Sequence, residues 1–416
     1  MVDIMTEEVL QAIVESKGEI SDFQVKDFCK VGENFASIIK EVVFKIYNSE
    51  TNKEFRYSVI LKYPSETRYI LQLMMLMRAY EKETKVYSDF FPKIEKWQQM
   101  KLGEIRYKLP FPKCFYNDNE KFLIVIENLR KQEFNPDPSP FEGMNYEQSK
   151  SVLEQLAIFH ALGYAFISSL DTKIGFEENF EYLKVTCKEC ERSMKTYGLA
   201  DQIPDMLQAF TNALKAKFPF EKQIFEKMQA SIIISPPKEK FYHFFTKNPD
   251  FNVVCHGDLW GNNILFRRDK NGNLITRFVD LQTVKYCTPA ADLVHFFWVS
   301  ASKNVLTHNM DELIIQYFNS FVNVVRDLKC SISFTLSELM QNVRDLHIMG
   351  FWRFAIHFMV ALVHDGSLTK PSMDGDDQET CSGIDKYIEM LKMTDDSRLS
   401  HCLFRVKLAN SLGIFQ

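Results

Sequence analysis

Residues 35–47 form one apolar, β-branched run, residues 48–52 read as a turn, and Phe55, Tyr57, Val59 and Leu61 then alternate with their neighbours. That period of two predicts strands from about Phe23 to Tyr63. Ahead of them Val9, Leu10, Ile13 and Val14 follow helical spacing, predicting a short amphipathic helix that ends near Lys17 and Gly18. Residues 67–90 return to the helical pattern, with Leu76, Tyr80 and Tyr87 spaced by four and seven. Residues 114–116 and 121–127 read as strands joined by the turn-forming Asn117-Asp118-Asn119-Glu120. In Phe134-Asn135-Pro136-Asp137-Pro138-Ser139-Pro140 the alternate prolines fix φ and remove donors, so neither a helix nor a central strand fits, and a boundary is expected at residues 128–144.

From Asn145 the chain turns helical and aromatic. Val152, Leu153, Leu156, Ala157 and His160 mark one helix face, where His160 reads as a satisfied core or supporting histidine. Residues 293–299 begin a buried helix. Further on, His347, Gly350, Phe354, His357, Ala361 and His364 form a stripe with steps of three and four. His357 and His364 stand too far apart along a helix axis to share one ion, so the stripe reads as pocket or core polar groups. Residues 366–383 read as a solvated polar loop.

The chemistry concentrates in residues 253–292. Val253, Val254 and Cys255 break into His256-Gly257-Asp258, and Asn262-Asn263 is followed by Ile264, Leu265 and Phe266. Asp269-Lys270-Asn271-Gly272 is a tight turn, after which residues 274–279 deliver Asp280. Asp258, Asn263 and Asp280 thus bring hard oxygen donors to one place, a set that suits Mg²⁺ better than zinc. An Asp, an Asn five residues on and a second Asp after a hairpin is the layout of a kinase phosphoryl-transfer site. In that layout Asp258 takes or orients the acceptor hydroxyl, while Asn263 and Asp280 hold Mg²⁺ on the phosphates of ATP. Each residue alone is an ordinary turn former; the ordered set is specific.

Lys62, closing the third strand, stands where kinases place the ammonium that binds nucleotide phosphates, although a lone strand-end lysine usually only reaches for solvent. Its expected partner is Glu83, on or beside the inward helix face, with Glu81 on nearly the opposite side. Gly32, Glu33, Asn34, Phe35, Ala36 and Ser37 precede two antiparallel strands and could cover phosphates with backbone N–H groups, though a single glycine more often marks a turn. The run from Ile124 to Leu129 resembles a kinase hinge, where backbone groups around Glu127 and Leu129 would meet the adenine edge.

His256-Gly257-Asp258, in place of the His-Arg-Asp of protein kinases, resembles small-molecule kinases such as the aminoglycoside and choline kinases. The longer string from His256 to Asn263, with Asp280-Leu281-Gln282 and Asp292-Leu293 behind it, resembles the ecdysteroid kinase-like family, also called CHK kinase-like, of arthropods and nematodes. The likeness runs from about residue 30 to about residue 300 and departs at Leu281, where that family usually carries Phe. It implies an α+β, bilobal protein-kinase-like fold with an antiparallel β N-terminal lobe over residues 1–130, a hinge and linker over 131–144, and a mainly helical C-terminal lobe over 145–416. It also implies the phosphate-covering role of residues 32–37, a substrate-shaping insert at 177–250, and Asp292 as a helix-capping acid that ties its helix to the His256 loop. The acceptor it implies is a lipophilic alcohol, an ecdysteroid or a dietary toxin. A protein kinase would share the site, but no Ala-Pro-Glu follows Asp280 and no long activation segment fits before Asp292. An inactive binding module is disfavoured by the joint presence of Lys62, Asp258, Asn263 and Asp280.

Composition narrows the partners. With 46% hydrophobic residues in 416, a sizeable core is expected. Fifty basic and 55 acidic residues are interspersed, net −5, which argues against nucleic acid. Nine cysteines, an odd number, read as reduced thiols of a cytoplasmic protein. Cys187 and Cys190 form the one C-x-x-C, without the second pair that a structural zinc site needs. The acidic N-terminus is unlike a signal peptide, and no membrane span is expected, the nearest candidate at residues 354–363 being interrupted by His357. The 36 Phe could line an apolar pocket, though most belong to the core by base rate.

Overall fold

A computed structural model of the chain describes residues 7–14, 19–28, 36–48, 52–137, 142–170, 176, 178–184, 199–234, 251–364, 394 and 396–415. Gly32, Glu33, Asn34 and Phe35 lie outside the described residues, as do Cys187, Cys190 and the polar segment 366–383.

Strands β1 (Glu19–Asp27), β2 (Ser37–Asn48), β3 (Lys53–Pro64), β4 (Cys114–Asp118) and β5 (Leu123–Glu127) form one antiparallel sheet in the order β1-β2-β3-β5-β4. Strand alternation sorts its two faces. Val42, Phe44, Ile46, Val59, Leu61, Leu123 and Val125 bury against Leu10 and Val14 of helix α1 (Glu7–Val14). The opposite parity, Ile60, Ile124 and Ile126, joins the main core with Val86, Phe90 and Ile94. Lys62 shares the parity of Ile60, so the pleat turns its ammonium toward the helices behind the sheet and away from α1.

The single helix expected over 67–90 is broken. It consists of α2 (Arg68–Leu76), α3 (Ala79–Lys85) and a π-turn (Val86–Phe90) that runs into α4 (Phe91–Leu102). The break falls at Arg78, which adopts a left-handed φ of 54° and folds its guanidinium back onto Glu81 at 2.7 and 3.0 Å. An arginine at this φ costs conformational energy, and the two-pronged ion pair offsets part of it. The consequence is that Tyr80, Glu83 and Tyr87 all face inward.

The second lobe is helical. Helix α5 (Tyr146–Ser168) starts at a capping box in which Asn145 Oδ1 accepts from Gln148 N–H at 3.0 Å and Gln148 Oε1 accepts from Asn145 N–H at 2.9 Å. Around it stand α6 (Leu199–Lys217), α7 (Lys222–Met228), α8 (Ala290–Ser300), α9 (Met310–Asp327), α10 (Leu336–His364) and α11 (Asp396–Ser411). Helix α9 packs on α5, and α10 packs on α8. By length and composition α5 could cross a membrane, which the reading centred on residues 354–363 does not anticipate; 72% of its most apolar window is buried inside the fold.

Two small sheets carry the polar loops. β6 (Asn135–Pro136) is an edge strand beside β8 (Ile264–Arg268) and β9 (Leu274–Phe278), a position that tolerates its proline. β7 (Val253–Cys255) pairs with β10 (Lys285–Cys287).

Candidate active site

Three stretches meet where the lobes face each other: the end of β3 with α3, the loop from β7 to β8, and the turn after β9. Lys62 Nζ lies 2.8 Å from Glu83 Oε2 and 3.2 Å from Asp280 Oδ1, with Lys62 and Glu83 both buried. Burial alone would lower the lysine's pKa, yet the two carboxylates raise it above its ordinary value and hold the ammonium charged. Burial pushes the Glu83 carboxyl up, against the pull of Lys62 and of the Leu281 N–H, which donates to Oε1 at 3.1 Å. Glu81 instead faces Arg78 and Lys85.

Asp280 has a left-handed φ of 71°, and its Oδ1 accepts from Gln282 N–H at 3.3 Å, a local turn that helps an aspartate hold this conformation. The next residue, Leu281, is fully buried where the resembled family carries Phe. Gln282 Nε2 donates to buried Ser37 Oγ at 2.5 Å, and Tyr80 O–H donates to Ala36 C=O at 2.5 Å. The described end of the 32–37 loop is therefore pinned to both the Asp280 turn and α3.

The β7–β8 loop is built on backbone hydrogen bonds. Gly257 has a φ of 84°, and a Cβ there would lie 2.2 Å from Thr283 C=O oxygen, so the loop passes too close to the turn before β10 for any side chain. Arginine, the protein-kinase residue at the middle of this motif, could not occupy it. His256 is fully buried; its Nδ1 accepts from Asp258 N–H at 3.3 Å, which leaves the ring proton on Nε2 to donate to Val279 C=O at 3.0 Å. Asp292 Oδ2 accepts from His256 N–H at 2.6 Å and Oδ1 from Gly257 N–H at 2.8 Å. His160 Nε2 faces the same carboxylate at 3.2 Å, and its Nδ1 pairs with Tyr317 O–H at 2.7 Å. Against the desolvation that would raise it, these partners hold the Asp292 pKa at about 2. One expectation is corrected: Pro289 occupies the cap of α8, and Asp292 sits in its first turn, because its oxygens are spent on loop amides in place of its own helix.

Asp258 projects from the same loop, its side chain 26% exposed. Asn263 Nδ2 donates both to Asp258 C=O at 2.9 Å and to Asp258 Oδ2 at 3.1 Å. Two acceptors fix which end of the amide is nitrogen and turn Oδ1 away from Asp258. Val279 N–H donates to Asn263 C=O at 3.0 Å, so the backbone leading into Asp280 abuts the loop holding Asn263. The Asn263 amide oxygen and the Asp280 carboxylate, carried on these abutting segments, are donors of the kind a hard cation such as Mg²⁺ takes.

Two histidines beside Asp258 are not singled out for this site by the sequence. His357 Nε2 lies 3.2 Å from Asp258 Oδ1, and His295 Nε2 lies 3.9 Å from the same oxygen. Burial would raise the Asp258 pKa; the His357 hydrogen bond, the two histidines and Arg353 overcome it and hold it well below the usual carboxylate range. The stripe on α10 is the one signal that reaches His357. His295 lies inside the apolar run from Leu293 to Val299, where no period distinguishes it.

At the hinge-like segment, Glu127 N–H donates to Lys113 C=O at 2.8 Å, and the Glu127 carboxylate accepts from Lys113 N–H at 3.3 Å and from Gln132. Leu129 is buried and its carbonyl accepts from Phe134 N–H at 3.1 Å.

The model of the ecdysteroid kinase-like family matches residues 31–330. No curated protein gives a significant match. Solved structures similar to the chain include the GDP complex of wild-type aminoglycoside 2'-phosphotransferase-IIIa, at 10% identity and a TM-score of 0.40, covering 95% of this chain and 99% of that one. A GDP and kanamycin complex of APH(2")-IIia has 11% identity and a TM-score of 0.40, covering 93% and 98%. An aminoglycoside phosphotransferase from Alicyclobacillus acidocaldarius subsp. acidocaldarius has 10% identity and a TM-score of 0.36, covering 97% and 96%. With its antiparallel sheet lobe and helical lobe, the chain has the bilobal protein-kinase-like fold.

Proposed function

The chain belongs to the ecdysteroid kinase-like family, and from that premise we propose that it transfers the γ-phosphoryl group of ATP to a hydroxyl of a small lipophilic molecule, an ecdysteroid or a xenobiotic alcohol, in the cytoplasm. The observation that carries the proposal is the buried Lys62 ammonium held between Glu83 and Asp280, beside the loop that presents Asp258 and Asn263. A buried lysine kept charged by two carboxylates is suited to meet phosphates.

In this reading Asp258, ionised, accepts a hydrogen bond from the acceptor hydroxyl and aims its oxygen at the γ-phosphorus. The hydroxyl oxygen forms the new P–O bond, the bond to the β-phosphate bridging oxygen breaks, and the hydroxyl proton passes to Asp258. Asn263 Oδ1 and Asp280 hold Mg²⁺, which neutralises charge on the phosphates. Lys62 binds the phosphates, Glu83 positions Lys62, and Gly32, Glu33, Asn34, Phe35, Ala36 and Ser37 close over them. The Glu127 carbonyl and the Leu129 N–H meet the adenine edge. Residues 131–144 link a nucleotide lobe, 1–130, to a catalytic and acceptor lobe, 145–416. His256 and Asp292 keep the catalytic loop in shape.

The test is incubation of the purified protein with Mg-ATP and a panel of steroid and plant alcohols, read by mass spectrometry for the gain of one phosphoryl group. Products dependent on Asp258 support the reading. The absence of any product, with nucleotide bound, would favour a binding protein on the same fold.

A further inference from the structure

We propose that Asp258, His295 and His357 form a binding site for a divalent cation of the zinc class, distinct from the oxygen-donor position at Asn263 and Asp280. The three residues arrive from separate elements, the β7–β8 loop, α8 and α10, and their ligand atoms all lie within 4.8 Å of one another. Ligands about 2.0–2.1 Å from a tetrahedral ion stand about 3.4 Å apart, so the widest edge need close by at most about 1.4 Å.

Two observations point to a ligand beyond the clustering. His295 is 2% exposed, and its Nε2 has no hydrogen-bond partner although it faces Asp258 Oδ1. A buried imidazole nitrogen without a partner is uncommon and calls for one. The second observation concerns His357, whose Nδ1 donates to Arg353 C=O at 2.9 Å. That hydrogen bond orients the ring from behind, as in metal-binding histidines, and aims Nε2 at Asp258 Oδ1; the proton that Nε2 donates there without an ion is the one a bound metal would displace. Trp260 packs edge-on against the His357 ring, 5.2 Å between centroids, and restrains it from the side.

The donor set selects the ion. Two imidazoles and one carboxylate suit zinc, cobalt or copper, whereas Mg²⁺ prefers the oxygens of Asn263 and Asp280. The Arg353 guanidinium opposes any cation here, which favours an ion that gains strongly from nitrogen ligands. Among the described residues, the other cluster of this kind, His160, Cys255 and Asp292, has both histidine nitrogens and both Asp292 oxygens already bonded, so it offers no such vacancy of partners. With Asp258 as the base of the reaction proposed above, on which this consequence rests, an ion here occupies its oxygen and excludes the acceptor alcohol while leaving the nucleotide side open.

The test is titration of the full-length protein with ZnCl₂ by calorimetry, and with Co²⁺ by visible absorption. The expected result is about one ion per chain, a tetrahedral Co²⁺ spectrum, and roughly tenfold or greater loss of affinity in H295A and in H357A. H295Q, close in size, serves if the alanine variant does not fold. A Cys187→Ser, Cys190→Ser double variant should bind as before. Unchanged affinity in the histidine variants, or loss confined to the cysteine variant, overturns the site. The readout is ion binding, so a failure to find any phosphorylated alcohol leaves this result standing, and the reverse holds as well.

Discussion

Replacing Gly257 by alanine isolates the reason for the glycine in the catalytic loop. At a φ of 84° an L-residue pays about 1–2 kcal/mol for the left-handed backbone. The new Cβ would also lie 2.2 Å from the Thr283 carbonyl oxygen and 2.9 Å from its carbon, about 1 Å inside contact, and backbone cannot swing aside as a side chain can. Relief requires the loop or the turn before β10 to move, at a cost of about 1–3 kcal/mol more. The expected total is about 2–5 kcal/mol. Gly272 supplies the control, because its φ is 83° but nothing lies within 4 Å of its Cβ position, so G272A pays the backbone cost alone. Urea unfolding of both variants, with m unchanged, gives the two terms separately. Because Gly257 N–H donates to Asp292 and Asp258 follows directly, displacement of the loop should also depress turnover in G257A and spare it in G272A. Equal stability losses in the two variants, or full turnover in G257A, would refute the close-approach argument.

Three further outcomes are expected. D258N should lower turnover by on the order of 10²–10⁴-fold with nucleotide affinity held within a few-fold, measured by single-turnover phosphoryl transfer and nucleotide titration; retained turnover would remove Asp258 from the chemistry. E83A strips the buried Lys62 of its nearer carboxylate and leaves the Leu281 N–H without its acceptor, so stability should fall by about 3 kcal/mol, and an unchanged urea midpoint would count against the ion pair. Asp292 is held at about 2 from an ordinary 3.8, so its stabilisation is present in full above about pH 4 and is lost as the pH falls toward 2. The size is about 2 kcal/mol, and D292N should flatten that acid limb of the stability profile; an equally steep limb in the variant would assign it to other groups.

The fold is legible in the sequence where a pattern has a period. Alternation along residues 55–61 assigns one face of β3 to α1 and the other, with Lys62, to the cleft; the hairpin of β8 and β9 follows from its turn residues. The pairing of Lys62 with Glu83 and Asp280, and of Asp258 with Asn263, is legible from order and spacing along the chain. What escapes is decided by tertiary contact. The break at Arg78 depends on an ion pair that rewards an unfavourable φ, and apolar spacing does not register it. His295 lies among residues buried on every side, so its aim at Asp258 comes from the packing of α8 against α10. The placement of Asp292 in the first turn of α8, and not at its cap, follows from the two loop amides it serves.

The short contacts around Lys62 bear on how strongly ions in solution should influence nucleotide capture. Its ammonium already has carboxylates on two sides, so an arriving polyphosphate would exchange with counter-charges that the chain itself supplies. Capture of that kind trades one set of attractions for another. Its strength should therefore respond to added salt less steeply than binding to a bare cationic patch would.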